Sequence, residues 1–392
     1  MSVPTAALPA SASQSPAPAS QWPAPASTWI VSRSFDLTWF FGGAALSLAA
    51  VALLVGVGAP VVALWWVWLL AFDGPHIGAA FTRTYLDRRE WRARPGVLVR
   101  GLLVFAVGPA FLVAGLVTGS EKPFALFLGL AALYGYYHVV RQHYGFLALY
   151  QAVNRDRAPL DRRLDGVVLY AGLWAPYVYF ILSHPRARRL LEVPSEGPGA
   201  ALAGHAAGAA VVVWTLAMIA LVGRIVVRAP AINRPKIAYL LVTLPLYAVI
   251  YFVLARLEPL YTASAGPDQD FLMLSILVTV FHNVQYLGLV WFHNRNRYAT
   301  ATDAGPATWV NRSALRFLAV CGAFSLVVYS LAACWTDVFP GCRLFGAGSG
   351  PITASQIGLC LWWGLALQHY YLDQRIWRIS GDAELKRNLR LA

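Results

Sequence analysis

Six of the eight histidines lie where they could act together: His76, His138, His143, His282, His293 and His369. Two aspartates sit at helical spacing from two of them. Asp73 and His76 are three residues apart in FDGPHIG, and His369 and Asp373 are four apart in LQHYYLDQRIW. Residues three and four apart share a helix face, so each carboxylate can accept a hydrogen bond from the imidazole or join it as a ligand. In YYHVVRQHYGF, Gln142 shares the face of His138, whereas His143 points about 140° away and serves either a second ligand set or a neighbouring helix. In FHNVQYLGLVWFHNRNRY, His282, Gln285, Tyr286 and His293 share a face, with His293 about 16 Å further along at ~1.5 Å per residue. His293 abuts Arg295 and reads as interfacial. Imidazole with carboxylate and no nearby thiolate suits iron, zinc or copper.

The elements that carry these residues are apolar and long. Of the 392 residues 58% are hydrophobic and only 12% charged, about half the charge of an ordinary soluble domain. Four cysteines exclude a disulfide scaffold. A span of the ~30 Å hydrocarbon layer takes roughly 20 residues, and ten stretches qualify: 35–57, 59–82, 96–118, 123–150, 165–184, 203–227, 236–256, 270–294, 313–335 and 355–377. The expected fold is an all-α polytopic transmembrane helical bundle of about ten spans. Residues 1–34, rich in Ala, Ser and Pro, read as a disordered extension with no chemistry, residues 35–378 as the transmembrane domain, and residues 379–392 as a basic cytoplasmic tail.

Basic residues orient the bundle. Arg33, the connections after the even spans and the C-terminal tail hold 24 Lys and Arg, and the opposite connections hold six. The positive-inside rule puts both termini in the cytoplasm of a bacterial inner membrane. The net charge of +13 is therefore an orientation signal, and no soluble basic module for nucleic acid remains. With this orientation all six histidines fall near the cytoplasmic ends of even spans, while His184 and His205 lie at outer ends. Ionisable residues within a bilayer are costly and face the bundle interior, so histidines at one depth on four helices point to one site.

The patches GPHIG around His76, HVVRQH at 138–143, HNVQY at 282–286 and QHYYLD at 368–373 resemble the membrane-bound histidine-rich non-haem iron enzymes. These comprise fatty-acid desaturases, hydroxylases and, more distantly, bacterial carotenoid-cleaving dioxygenases of the Brp/Blh type. The resemblance implies histidine-ligated iron, as one ion or a di-iron pair, inside a helical bundle. The expected activity is an oxidoreductase acting on an apolar lipid, isoprenoid or carotenoid-like substrate, supplied with electrons by a donor protein. His76, His138, His143, His282 and His369 are the expected ligands, and Asp73, Gln142, Tyr286 and Asp373 the groups that orient them or share their chemistry. Tyr134, Tyr137, Tyr370 and other aromatics crowd the same region, where they line a substrate pocket or form an interfacial belt. Two other functions fit the residues: an electron-transfer protein with haem b between two histidines, and a transporter with a His/Asp proton relay. Cys334 and Cys342 bracket CWTDVFPGC at the outer end of the ninth span and are expected to pair, whereas Cys321 and Cys360 are expected to stay reduced.

Overall fold

The computed structural model describes residues 28–391 apart from 157, 191, 228–231, 258–268, 300, 302 and 336–351. Among the described residues every regular element is helical. Ten long helices follow in order: α1 Arg33–Gly56, α2 Val61–Arg83, α3 Pro95–Thr118, α4 Lys122–Val153, α5 Pro159–Ser183, α6 Gly197–Val227, α7 Arg234–Arg256, α8 Gln269–Tyr298, α9 Ala314–Cys334 and α10 Ala354–Ile376. Among the described residues nine of them, α1 to α9, are long and apolar enough to cross a membrane. The fold is an all-α polytopic bundle. The tenth expected span forms as α10, a helix of 23 residues, but Gln368, His369, Asp373 and Gln374 lower its mean hydropathy. Two of these polar residues, His369 and Asp373, face the site. Gly58, at φ +69°, and Pro60 separate α1 from α2.

The helices differ in what surrounds them. In the most apolar stretch of α8, 89% of residues are buried in the protein, against 17% in α3 and in α6. Helix α8 is therefore the central pillar, and α3 and α6 lie at the periphery, where Val212, Leu216 and Ile219 of α6 are exposed. Small residues allow close helix approach, as expected where association depends on packing rather than on release of water. A Cβ on Gly288 of α8 would lie 2.5 Å from the Cβ of Trp39 on α1. On α2, a Cβ on Gly74 would lie 2.6 Å from the Cβ of Ser325 on α9.

Helix α2 also widens where it matters. Pro75 has no N–H to donate, and Leu69–Asp73 just before it forms a π-helical turn. The Leu69 carbonyl accepts from Gly74 N–H and from Ser325 Oγ at 3.0 Å. Such turns change the register of the residues that follow, here Asp73 and His76.

Segments that flank the ten helices pack against the bundle where they are described. Residues 1–27 lie outside the described residues, but residues 28–34 are held by the bundle: Asp36 accepts from Ile30 N at 2.8 Å and Val31 N at 3.0 Å, and Asn154 pairs with Thr28. The C-terminal segment forms the helix Ala383–Asn388, with Leu385 and Leu389 buried. It docks on the end of α8, where Glu384 meets Arg297 at 3.0 Å and Asn296 donates to Asn388 O at 2.7 Å. Arg297 also contacts Asp87 at 3.0 Å and Glu90 at 3.1 Å, which ties the α2–α3 connection to α8. On the exposed side, the Arg89 guanidinium bonds to Asp303 and holds that carboxyl below the usual carboxylate range. Cys334 is disulfide-bonded, whereas Cys321 and Cys360 are free; Cys342 lies outside the described residues.

Candidate metal centre

Four helices deliver one imidazole each to one place. His76 comes from α2, His138 from α4, His282 from α8 and His369 from α10. All four are buried, and one ligand nitrogen of each lies within 4.8 Å of the other three. The rings close on one another from several sides. Centroid separations are 4.3 Å for His76–His369, 4.7 Å for His76–His282, and 5.0 Å for both His138–His282 and His138–His369. Both ring nitrogens of His76, both of His369, Nε2 of His138 and Nδ1 of His282 have no hydrogen-bond partner.

Buried polar atoms in native proteins are almost always hydrogen-bonded, because desolvation without a partner costs about 1–3 kcal/mol each. One ring nitrogen from each of the four imidazoles converges with the others, an arrangement that fits a cation taking one lone pair per neutral imidazole. Ligand nitrogens within 4.8 Å of one another are on the scale of a site whose metal–nitrogen bonds would be ~2.0–2.1 Å.

Carboxylates flank the imidazoles on two sides. Tyr286 OH donates to Asp373 Oδ1 at 2.6 Å, and Asp373 Oδ2 lies 3.5 Å from His369 Nε2 and 3.8 Å from His138 Nε2. The expected pairing of His369 with Asp373 along one helix face is thus present, and it reaches across to α4. Tyr286 also packs edge-on to His76, with centroids 4.7 Å apart. Asp73 differs from its expectation. It turns to other helices, accepting from Asn283 Nδ2 at 3.2 Å and from Tyr329 OH, and it is not in the group of converging ligand atoms. The reason lies in what packs against it, Asn283 of α8 and Tyr329 of α9. Gln142 donates from Nε2 to the His282 carbonyl at 2.8 Å and so braces α4 against α8 one turn below His138.

His143 stands apart from the four. Its Nδ1 lies 2.6 Å from Tyr239 OH and its Nε2 2.9 Å from Tyr247 OH, both on α7. The Tyr247 hydroxyl hydrogen goes to Val278 O at 2.9 Å, so Tyr247 must accept from His143 Nε2–H. That leaves Nδ1 bare to accept from Tyr239, which itself receives from Gln285 Nε2 at 3.4 Å. With both nitrogens engaged, His143 has no lone pair left for a metal, and its place is a buried hydrogen-bond network. His293, expected at the interface, is fully buried near the docked tail, 3.0 Å from Asn294 Oδ1 and 3.4 Å from Asn388 Nδ2. His184 is buried against Phe180, and His205 is exposed on α6.

Tyr370, expected in a substrate pocket or an interfacial belt, stacks on His138 with centroids 4.2 Å apart. Two further contributors had no role assigned from sequence. Asn283 and Tyr329 hold Asp73. Asn283 directly follows His282, so its neighbourhood was a usable signal. Tyr329 lies on an odd-numbered span with no histidine, and only packing brings it to the site.

Comparison of the chain with protein families, with characterised proteins and with solved structures returns no match. The chemistry of the centre therefore rests on its own geometry.

Proposed function

We propose that this chain is a membrane metalloprotein in which His76, His138, His282 and His369 hold one iron ion, and that the centre serves oxidoreductase chemistry on an apolar substrate. The observation that carries this reading is the convergence of four buried imidazoles whose ring nitrogens lack other partners. Neutral nitrogen donors with a carboxylate close by suit iron better than magnesium or calcium, which prefer oxygen. A single ion fits better than a di-iron pair, because Asp73 is engaged elsewhere and no carboxylate bridges the group. Haem b fits poorly: imidazoles from four helices close on one another and leave no slab for a macrocycle. A four-imidazole iron, when bound, supplies one-electron chemistry and activation of dioxygen.

The chain's own residues do the rest. Asp373, fixed by Tyr286, sets a carboxylate oxygen beside Nε2 of His369 and of His138. Tyr370 covers the outer face of His138. Gln142 fixes the spacing of α4 and α8. Burial excludes water from the reacting volume and strengthens each polar contact within it. By the positive-inside rule, the 24-to-6 distribution of basic residues supports a centre on the cytoplasmic side of the membrane, the side from which our reading has an electron-donor protein supply it.

The test is metal analysis with an absorption spectrum on the full chain purified in detergent. About one iron per chain without a Soret band is expected. A Soret band, or an absence of transition metal from protein loaded anaerobically with ferrous iron, would overturn the assignment.

A further inference from the structure

One elongated apolar cleft, of about 530 Å³, opens between α3, α4, α5 and α10. Its walls include Phe111 of α3, Phe127, Tyr134 and Tyr137 of α4, Trp174 of α5 and Leu367 of α10. It follows α4 from Phe127 to Tyr137, about 15 Å at ~1.5 Å per residue. Of its lining residues, Tyr134 lies one turn before His138 on α4. Tyr370 stands between. Its ring stacks on His138 at 4.2 Å, meets Tyr134 edge-on at 5.8 Å and lies 5.8 Å from His369. Its hydroxyl rests against Gly135, where a Cβ would come within 3.2 Å.

We infer that this cleft is the binding site for a neutral, chain-like, unsaturated substrate that enters from the bilayer, and that Tyr370 is the gate between cleft and metal centre. The inference rests on the function proposed above. The lining decides the class of occupant. It contains no Lys, Arg, Asp or Glu, so a charged headgroup would find no counter-ion there. Aromatic rings make up half of it, and ring faces favour a flat unsaturated chain through offset stacking over a saturated acyl tail. Small-molecule sites are typically clefts of ~300–1,000 Å³ with apolar and aromatic walls and a few hydroxyls. Here the hydroxyls are those of Tyr134 and Tyr137. The Tyr370 ring is interposed between the cleft-lining Tyr134 and His138, touching both.

The experiment uses the full chain in nanodiscs and two photoreactive diazirine probes, a neutral polyisoprenoid alcohol and a phosphatidylcholine, with labelled residues mapped by mass spectrometry. The isoprenoid is expected to label residues 127–137 of α4 at least tenfold more than the exposed face of α6. Leu130→Trp, from an exposed position lining the cleft, should lower that labelling at least tenfold and leave bound metal unchanged. Tyr370→Ala should carry labelling inward to peptides containing His138 and His369, and Tyr370→Phe, which keeps the ring, should not. Equal labelling of α4 by both probes, or labelling unaffected by Leu130→Trp, overturns the cleft. Tyr370→Ala labelling confined to 127–137, in protein that still binds metal, overturns the gate. His138→Ala separates the two proposals: cleft labelling should persist when the ion is lost, and cleft labelling in a wild-type chain that binds no metal would leave this site standing while the metal centre fell.

Discussion

Tyr286 on α8 donates its hydroxyl hydrogen to Asp373 on α10 at 2.6 Å, and the second oxygen of the same carboxylate faces both His369 and His138. One tyrosine thereby fixes a carboxylate that two helices share. Partners of this kind set the rotamer and basicity of an imidazole ligand, and their loss typically weakens metal binding 10- to 100-fold.

Tyr286→Phe removes only that hydroxyl. Iron should be lost to a competing chelator at roughly 10- to 100-fold lower chelator concentration than in the wild type, with little change in thermal stability. Asp373→Asn should behave alike, and the double variant should be no worse than the weaker single one. Fully additive losses would show that the two residues act separately.

His138→Ala and His282→Ala should each abolish stoichiometric metal, whereas His143→Ala should retain it. The cost of His143→Ala is structural. Leaving the buried Tyr239 and Tyr247 hydroxyls short of a partner should destabilise the bundle by about 1–3 kcal/mol. His205→Ala, on an exposed face, should change neither metal nor stability. Metal content by mass spectrometry together with a thermal melt separates these outcomes; metal loss in His143→Ala would return that residue to the ligand set.

Gly74→Ala places a methyl group against Ser325 where α2 and α9 touch. Overpacking of this kind costs about 1–3 kcal/mol, and here it displaces the turn that carries His76. Reduced thermal stability and weaker metal retention are both expected. Ser325→Gly in the same chain should restore part of each, because it removes the colliding atoms, although it also removes the hydroxyl that donates to Leu69 O. No recovery in the double variant would place the defect elsewhere.

Reporter fusions after Arg94 and after Gly197 should report opposite compartments, cytoplasmic and external respectively. The disulfide at Cys334 belongs to the same prediction, since such bonds persist in an oxidising periplasm and rarely in the cytosol. Peptide mapping without reduction should recover Cys334 cross-linked and Cys321 and Cys360 as free thiols. A free Cys334 thiol in protein from an oxidising host would count against the orientation.

Helix positions were legible in the chain itself. Membrane insertion sums apolar transfer over some twenty neighbouring residues, a local quantity, and each expected span overlaps one observed long helix. The ends differ most at α5 and α6, which begin at Pro159 and Gly197 rather than 165 and 203. Helical hydrogen bonding continues past the hydrocarbon edge, where hydropathy no longer marks it. The depth of the histidines was legible for a similar reason: a polar residue in an apolar run has a depth that counting gives directly.

Which histidines meet was decided by tertiary structure. His138 and His143 share one helix and look alike in sequence, yet one joins the four and the other is taken by Tyr239 and Tyr247. The difference is the helix each faces: α7 presents two hydroxyls to His143, while α2, α8 and α10 present imidazoles to His138. Asp73 and Asp373 diverge in the same way. Both stand at helical spacing from a histidine, but the amide of Asn283 and the hydroxyl of Tyr329, both far away in the chain, draw Asp73 elsewhere. Spacing along a helix fixes which residues share a face. It does not fix what the opposite face offers, and in a dry interior each buried polar group is settled by the partner packed against it.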